Sequence, residues 1–332
     1  MKYLVTGGLG FIGSHFIEEI LQDDETEKVL NIDMGSYASS KSFRPSDTRY
    51  TCLFQDIGNR DALERLALKC DVVVNFASHS HVDNSINNPD AFLNNNINSF
   101  FSFLKTCSNW QLENKIGKFI HISTDEVFGD VEDSIYDYFI EKSDLRPSSP
   151  YSASKASQEM FIHTARKMFG FKANILRLCN NYGPRQFEEK FIPVIINSIL
   201  KSKDIPVYGD GGQKREWIYV KDAVKRIKMV AEANEDYDDY CVGGGELKTN
   251  LDIIKIINDL TGKTSEANIR FVADRIGHDR MYKMDSRKFN YKYKLQKEGV
   301  SCDLPLEEGL RKTIEYFEKS LLHSTVPQGN GS

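Results

Sequence analysis

Two adjacent carboxylates, Asp125 and Glu126, follow two hydroxyls, Ser123 and Thr124, where the apolar run KFIHI ends. Acids this close compete for ionisation, so one of them is driven toward its neutral form. A pair that holds one carboxyl protonated and the other ionised suits general acid–base chemistry. Further along, YSASK sets Tyr151 and Lys155 four residues apart at a helix start, which puts both side chains on one face. Tyrosine is a poor base at neutral pH, but a neighbouring ammonium stabilises its phenolate. Ser123 or Thr124 can donate a hydrogen bond to the same substrate hydroxyl. In isolation each feature has a plainer reading: an acid that caps a turn, or an exposed pair on a helix.

The elements around these residues give them a context. KYLVT reads as a strand and FIGSHFIEEILQ as a helix, and between them TGGLGFIG holds Gly7, Gly10 and Gly13. Glycine permits the tight turn and lets a pyrophosphate approach the backbone. The helix opening at Phe11 and Ile12 offers free N–H groups and a positive dipole end. Asp33 ends the next strand, KVLNID; an acid there accepts hydrogen bonds from a ribose and repels a 2′-phosphate, which predicts NAD rather than NADP. After the third strand, YTCLF, come Asp56 and Ile57, where an adenine edge could be read; Asp56 could equally cap the helix expected over DALERLALKC. Ala77, after DVVVNF, together with Ser123, Tyr151 and Lys155, completes the expected cofactor contacts.

A long helical stretch from about Asp90 to Trp110, the strand KFIHIS, a helix from Tyr151 to Gly170 and the strand ANILRL follow in turn. Nearly all-apolar strands alternating with helices imply an α/β fold: a Rossmann-type, doubly wound parallel sheet. The pattern loosens after Leu178. Residues 1–178, with a return segment over 217–240, are expected to form the dinucleotide domain. Residues 179–216 and 241–322 are expected to form a smaller C-terminal α/β substrate-binding lobe, and 323–332 a disordered tail.

Composition excludes several classes. The 332 residues carry a formal charge of −5 with no basic stripe, which speaks against nucleic acid or an anionic membrane as partner. No apolar run reaches the length of a membrane span, and the N-terminus arrives at glycines too soon for a secretory signal. The six cysteines are scattered with no C-x-x-C pair, so neither a disulfide framework nor a zinc site is expected, and a reducing, cytoplasmic setting is. His79 and His81 flank Ser80, but Asp83 is the nearby acid and the set is not a credible metal site.

SHVDNSI, STDEVFGD, PSSPYSASKAS, NNYGPRQFEEKFIP, YGDGGQKREWIYV and DRIGHDRMY occur in that order. With the glycine loop and the Tyr151/Lys155 pair they resemble the extended short-chain dehydrogenase/reductase family, and within it the NDP-glucose 4,6-dehydratases. The resemblance runs from the first strand to about residue 320. It implies that Tyr151, helped by Thr124 and Lys155, takes the proton of the sugar 4-hydroxyl while the C4 hydride goes to NAD. It further implies that Glu126 removes the C5 proton, that Asp125 protonates the departing C6 hydroxyl, and that the hydride returns to C6. On the substrate side it implies roles for His81, Asn180, Lys190, Asn250, Arg275 and His278. Pro206 and Tyr208 could sandwich the base, and Arg215 could clamp the diphosphate.

The sequence departs from the family pattern at Ser78-His79, where Ala-Glu is usual, and at Cys179 and Cys241. The apolar stripes AFLNNNINSFFSFL and QEMFIHTARKMF either only pack on the sheet or, as the resemblance implies, also pair two copies as a homodimer. A 4-epimerase or decarboxylase of the same family is the nearest alternative, and a dinucleotide-sensing regulator the non-catalytic one.

Overall fold

The computed structural model describes the whole chain except residues 41, 67–68, 132–136, 235–236, 245, 263–268, 296–302 and 326–332. Its strands are β1 (Lys2–Thr6), β2 (Lys28–Asp33), β3 (Tyr50–Phe54), β4 (Cys70–Asn75), β5 (Ile116–Thr124), β6 (Ala173–Leu178), β7 (Asn180–Tyr182), β8 (Ile205–Tyr208), β9 (Lys214–Tyr219), β10 (Asp239–Val242), β11 (Glu246–Thr249) and β12 (Ile269–Val272). The helices are α1 (Phe11–Leu21), α2 (Arg60–Glu64), α3 (Val82–Asn87), α4 (Pro89–Phe92), α5 (Phe100–Leu112), α6 (Pro150–Phe169), α7 (Phe191–Leu200), α8 (Val220–Glu232), α9 (Asn250–Thr261), α10 (Arg287–Lys292) and α11 (Leu306–Thr325).

Seven strands form one sheet in the order β10-β6-β5-β4-β1-β2-β3, every neighbouring pair parallel. The chain winds outward from β1 to β3, then restarts at β4 and winds the other way. This is the doubly wound sheet the apolar strands predict. One face packs Phe16, Ile17 and Ile20 of α1 and Val224, Ile227 and Val230 of α8. The other packs Phe100, Phe103 and Leu104 of α5 and Ile162 of α6. Each such side chain, fully buried, contributes about 1.5–3 kcal/mol, so both faces of the sheet are fixed firmly.

The smaller lobe has a three-stranded sheet, β11-β9-β7, and the parallel pair β12-β8. Ile192, Ile195 and Ile196 of α7, Ile253 and Ile257 of α9, and Leu310 and Ile314 of α11 make its core.

Several expected boundaries move. Residues 217–219 finish a strand of the small sheet, so the return to the large sheet runs from Val220 through Val242, not over 217–240. The second lobe segment is interrupted as well, because α10 packs Phe289 into the core of the large domain beside Tyr240. Helix α11 continues to Thr325, into the stretch expected as a tail, and 326–332 lie outside the described residues. Helix α2 is shorter than the sequence suggests, and its N-cap is Asn59, whose side chain accepts from the Ala62 N–H, rather than Asp56.

The long helix expected near 90–110 contains a π-helical stretch, Leu93–Ser99, between α4 and α5. Wider turns of this kind re-aim side chains and recur at functional sites. Here the turn buries Asn96, whose amide accepts from His79 N (2.8 Å) and donates to His79 O (2.9 Å) and to Ser154 Oγ (2.9 Å). The loop carrying Ser78 and His79 is thereby stapled to α6.

Candidate active site

In an open parallel sheet the strand ends on either side of the reversal splay apart and leave a crevice. The reversal here lies between β1 and β4, and a cleft of about 870 Å³ opens there between the two lobes.

One end of the cleft is lined by Gly7, Gly10, Phe11, Ile12, Gly13 and Asp33. Gly7 has φ +70°, and a Cβ there would stand 2.6 Å from the Ala77 backbone nitrogen; at Gly13 it would stand 2.5 Å from the Gly7 carbonyl oxygen. Both are backbone obstacles, so neither can yield. Gly10 is the N-cap of α1, with no side-chain cap and no acid in the first turn, which leaves that turn's N–H groups to an anion. The Asp33 carboxylate accepts from the backbone N–H of Leu9 (2.9 Å) and Gly35 (2.8 Å), which holds the loop open around it. These residues fit a dinucleotide.

Three residues expected to touch the cofactor do not line the cleft. Asp56 accepts from Gly58 N (2.7 Å) and from the Ser99 hydroxyl, Ile57 is a core residue, and the Ala77 backbone is the wall against which Gly7 packs. Ser123 does line the cleft, yet its hydroxyl is committed to Glu159, which also holds Arg177 in a buried ion pair at 2.7 Å. That leaves Thr124 as the hydroxyl available to a substrate.

The middle of the cleft holds Thr124, Asp125, Glu126, Tyr151 and Lys155. Thr124 ends β5 and caps a single 3-10 turn, Asp125–Phe128, accepting from Glu126 N at 3.3 Å. The turn explains how a strand can end in two acids: the first-turn dipole favours them, and the turn carries them off the sheet. Tyr151 and Lys155 come from the first turns of α6, which begins with a capping box, Ser149 with Ser152, and has Pro150 in its first turn.

Burial drives the Asp125 carboxyl well above the usual range, and the neighbouring Glu126 adds to the push. Burial also raises Glu126, but Arg275, Arg215 and Lys190 oppose it. The two acids therefore differ in environment, with Asp125 the one held in its protonated form. Asp125 Oδ1 accepts from the Thr124 hydroxyl at 3.3 Å, while its Oδ2 is buried without a partner and so is ready for a substrate group. The Tyr151 phenol is raised by burial and by both acids, with a hydrogen bond to Thr124 working the other way. Burial lowers Lys155 to about 7, opposed by Glu159.

His81, Asn180, Lys190, Pro206, Tyr208, Arg215, Asn250, Arg275 and His278 all line the remaining part of the cleft. Lys190 is the N-cap of α7 and donates across the cleft to Ser80 O at 2.7 Å. Arg215 lies over the Tyr282 ring at 4.2 Å and donates to the carbonyls of Lys214 and Asp279, both at 2.8 Å. Arg275 Nη1 stands 3.6 Å from Asp83 Oδ1, and its Nε is buried without a partner. His278 is bonded to Asp274 at 2.6 Å and is pushed down to about 4, by burial and then by Arg275. His81 caps α3 by accepting from Asn84 N at 3.2 Å, which places its proton on Nε2 in the neutral ring. Three cations around one opening can meet the charges of a diphosphate. Among the described residues no cluster of metal-ligating side chains occurs, and no helix is long and apolar enough to cross a membrane.

Sequence reasoning overlooked several lining residues. Asp83 spans the lobes, accepting from Tyr208 at 3.1 Å as well as facing Arg275. Tyr37 donates to Glu189 at 3.0 Å and accepts from the Asn84 side chain of α3, also at 3.0 Å. Trp217 and Tyr282 also line the cleft. Asp83, Glu189, Trp217 and Tyr282 sit inside stretches singled out above, so the signal was present but was spent on their neighbours.

Comparison with known proteins agrees with this geometry. The family model for GDP-mannose 4,6 dehydratase matches residues 4–299. The chain is 37% identical to the dTDP-glucose 4,6-dehydratase of Salmonella typhimurium, over 96% of this chain and 92% of that one. The dTDP-glucose 4,6-dehydratase DesIV of Streptomyces venezuelae, solved with NAD bound, superposes with a TM-score of 0.87 at 32% identity, covering 96% and 97% of the two chains. A UDP-glucuronic acid 4-epimerase of Bacillus cereus reaches 0.85 at 27% identity, covering 96% and 100%, so dehydratases and epimerases share this scaffold and the site must separate them. With the matched family model and the dehydratase relatives in agreement, the chain belongs to the GDP-mannose 4,6 dehydratase family, as a member of the dTDP-glucose 4,6-dehydratase type within the extended short-chain dehydrogenases/reductases.

Proposed function

We propose that this protein is a hydro-lyase that converts an NDP-glucose to the NDP-4-keto-6-deoxyglucose, with NAD as a cofactor regenerated in each turnover. The observation that carries the reading is the Asp125–Glu126 pair, set beside Tyr151 in the cleft, with surroundings that hold the Asp125 carboxyl protonated and leave Glu126, facing three cations, the more readily ionised of the two.

Bound NAD supplies the oxidation at C4 and gives the hydride back at C6. The protein's own groups do the rest. Tyr151 removes the proton of the 4-hydroxyl, its phenolate stabilised by the Lys155 ammonium, with Thr124 donating to the same oxygen. A 4-ketone acidifies the C5 hydrogen; Glu126 takes that proton, and C5 is reprotonated when the hydride reaches C6. Asp125, kept neutral by burial, protonates the C6 hydroxyl, which leaves as water. Epimerisation at C4 breaks no bond to C5 or C6, so an epimerase has no use for this pair. Lys190, Arg215 and Arg275 hold the diphosphate, Pro206 and Tyr208 flank the base, and Asn180, Asn250, His81 and His278 complete the pocket.

The protein works as a homodimer in the cytoplasm on this reading. Leu93, Phe101, Met160, Met168 and Phe169 are exposed along the stretch from α4 to α5 and along α6, an apolar face that suits a second copy.

The test is purified protein given dTDP-glucose or UDP-glucose with no added NAD. The expected product absorbs in alkali as a 4-keto-6-deoxy sugar and is lighter by one water. The faster substrate identifies the base. If neither sugar loses water even after NAD is supplied, the proposal fails.

A further inference from the structure

Two side chains of the small lobe, Tyr208 and Arg275, are met across the cleft by one carboxylate of the large domain. Tyr208 ends β8 and Arg275 follows β12; these strands pair parallel with Val272 beside Tyr208, so both residues leave the same end of the pair. Asp83 faces them from the first turn of α3. The Tyr208 hydroxyl donates to Asp83 Oδ2 at 3.1 Å, and Arg275 Nη1 lies 3.6 Å from Asp83 Oδ1. The neighbours of Asp83 reach the same lobe. Ser80 O accepts from Lys190 at 2.7 Å, and Asn84 donates to the Tyr37 hydroxyl, which donates to Glu189, each at 3.0 Å.

We propose that Asp83 is a positioning residue for the nucleotide half of the substrate: it holds Tyr208 and Arg275 ready to receive the base and the diphosphate. This rests on the sugar-nucleotide reading above. The Tyr208 ring is 40% exposed, so without its hydroxyl bond it would turn among rotamers and lose that freedom only on binding. Burial, and then the Asp83 charge, raise the Tyr208 phenol, so it keeps the proton it donates. Arg275 is treated differently. At 3.6 Å the ion pair attracts the guanidinium but is too long for a hydrogen bond. Arg275 Nε is buried with no partner, which leaves a donor for a phosphate oxygen.

The base from which Asp83 acts is firm. His81 caps α3 by accepting from Asn84 N at 3.2 Å, and Ser85, wholly buried, donates to Val82 O at 2.6 Å. The helix packs against α6, which carries Tyr151 and Lys155. An acid in the first turn of a helix also has a plainer use, since it suits the helix dipole. That use bears on the stability of α3 and gives Asp83 no energetic link to Tyr208.

Calorimetric titration of NAD-loaded protein with dTDP and, separately, UDP separates the two. We expect Asp83→Ala to bind the better nucleotide roughly ten- to a hundredfold more weakly than wild type, the worth of a hydrogen bond to a charged group. Asp83→Asn, which still accepts from Tyr208 but lacks the charge, should fall between them. Tyr208→Phe should weaken binding in the wild type and cost little more once Asp83 is gone, the signature of two groups that act together. With glucose attached, the loss should appear in KM more than in kcat. Unchanged affinity in folded Asp83→Ala, or additive losses in the double variant, overturns the proposal. So does tighter binding, which would mean that the carboxylate competes with the diphosphate for Arg275. Should Asp83→Ala not fold, wild-type affinity in Asp83→Asn overturns it equally. Wild-type protein that binds neither nucleotide removes the sugar-nucleotide reading itself, an outcome distinct from all of these.

Discussion

At the scale of single residues, the two acids should separate experimentally. Replacing Glu126 with Gln or Asp125 with Asn removes a proton carrier but leaves Tyr151, Thr124 and Lys155 in place. Loss of water should slow by roughly 10²–10⁴-fold, the usual worth of a positioned acid or base. Oxidation at C4, read as nicotinamide absorbance in a single turnover, should survive in both. If oxidation disappears together with dehydration, the division of labour drawn here is wrong. These residues were legible because their chemistry is unusual where they stand: adjacent acids at a strand end, and a tyrosine and a lysine on one helix face. The surroundings of His121 were not legible: a histidine inside KFIHI reads as one more strand residue, and Asn75 and Lys155, which it meets in the fold, lie far from it in the chain. Ser123 was read as free because a sequence cannot show that Glu159 already holds its hydroxyl.

At the scale of elements, the first β–α turn was legible almost completely, since a glycine pattern between a strand and a helix has a narrow set of physical causes. Gly13 tests it. A Cβ there would press on the Gly7 carbonyl oxygen at 2.5 Å and the Gly8 Cα at 2.9 Å, and backbone cannot step aside. Gly13→Ala should lose bound NAD, measured by release on denaturation, with the far-ultraviolet circular dichroism of the fold retained. NAD held at the wild-type level would show that the loop is looser than the packing implies. The π-helical stretch after α4 escaped the sequence reading, because its cause is tertiary: the backbone widens so that Asn96 can bond the His79 backbone and Ser154 together. His79, one of the two residues that depart from the family pattern, is thus held through its backbone by this wider turn.

At the scale of the molecule, the exposed apolar face along α5 and α6 leads to a prediction about assembly. Phe101 is 49% exposed and lies against the Phe161 ring at 4.9 Å, near the middle of that face. Phe101→Asp should halve the mass seen by sedimentation at micromolar concentration, from two copies to one. A wild-type protein that already sediments as a single copy would remove the dimer from the proposal. The doubly wound sheet was evident from alternating strands and helices, but the limits of the lobes were not. A strand of the small sheet and a helix of the large domain meet at Tyr219 and Val220 with no linker between them. No change of composition marks such a junction.

That stitching bears on how such a protein can be altered. The chain passes between its two bodies after Leu178, after Tyr219, after Val242, before Arg287 and once more before Leu306. The sugar-nucleotide half is therefore not a cassette. Exchanging it for that of a relative would need every one of these junctions to match in register, whereas a new substrate preference could be written residue by residue along the walls of the cleft. Divergence on this scaffold is easier by point substitution than by recombination.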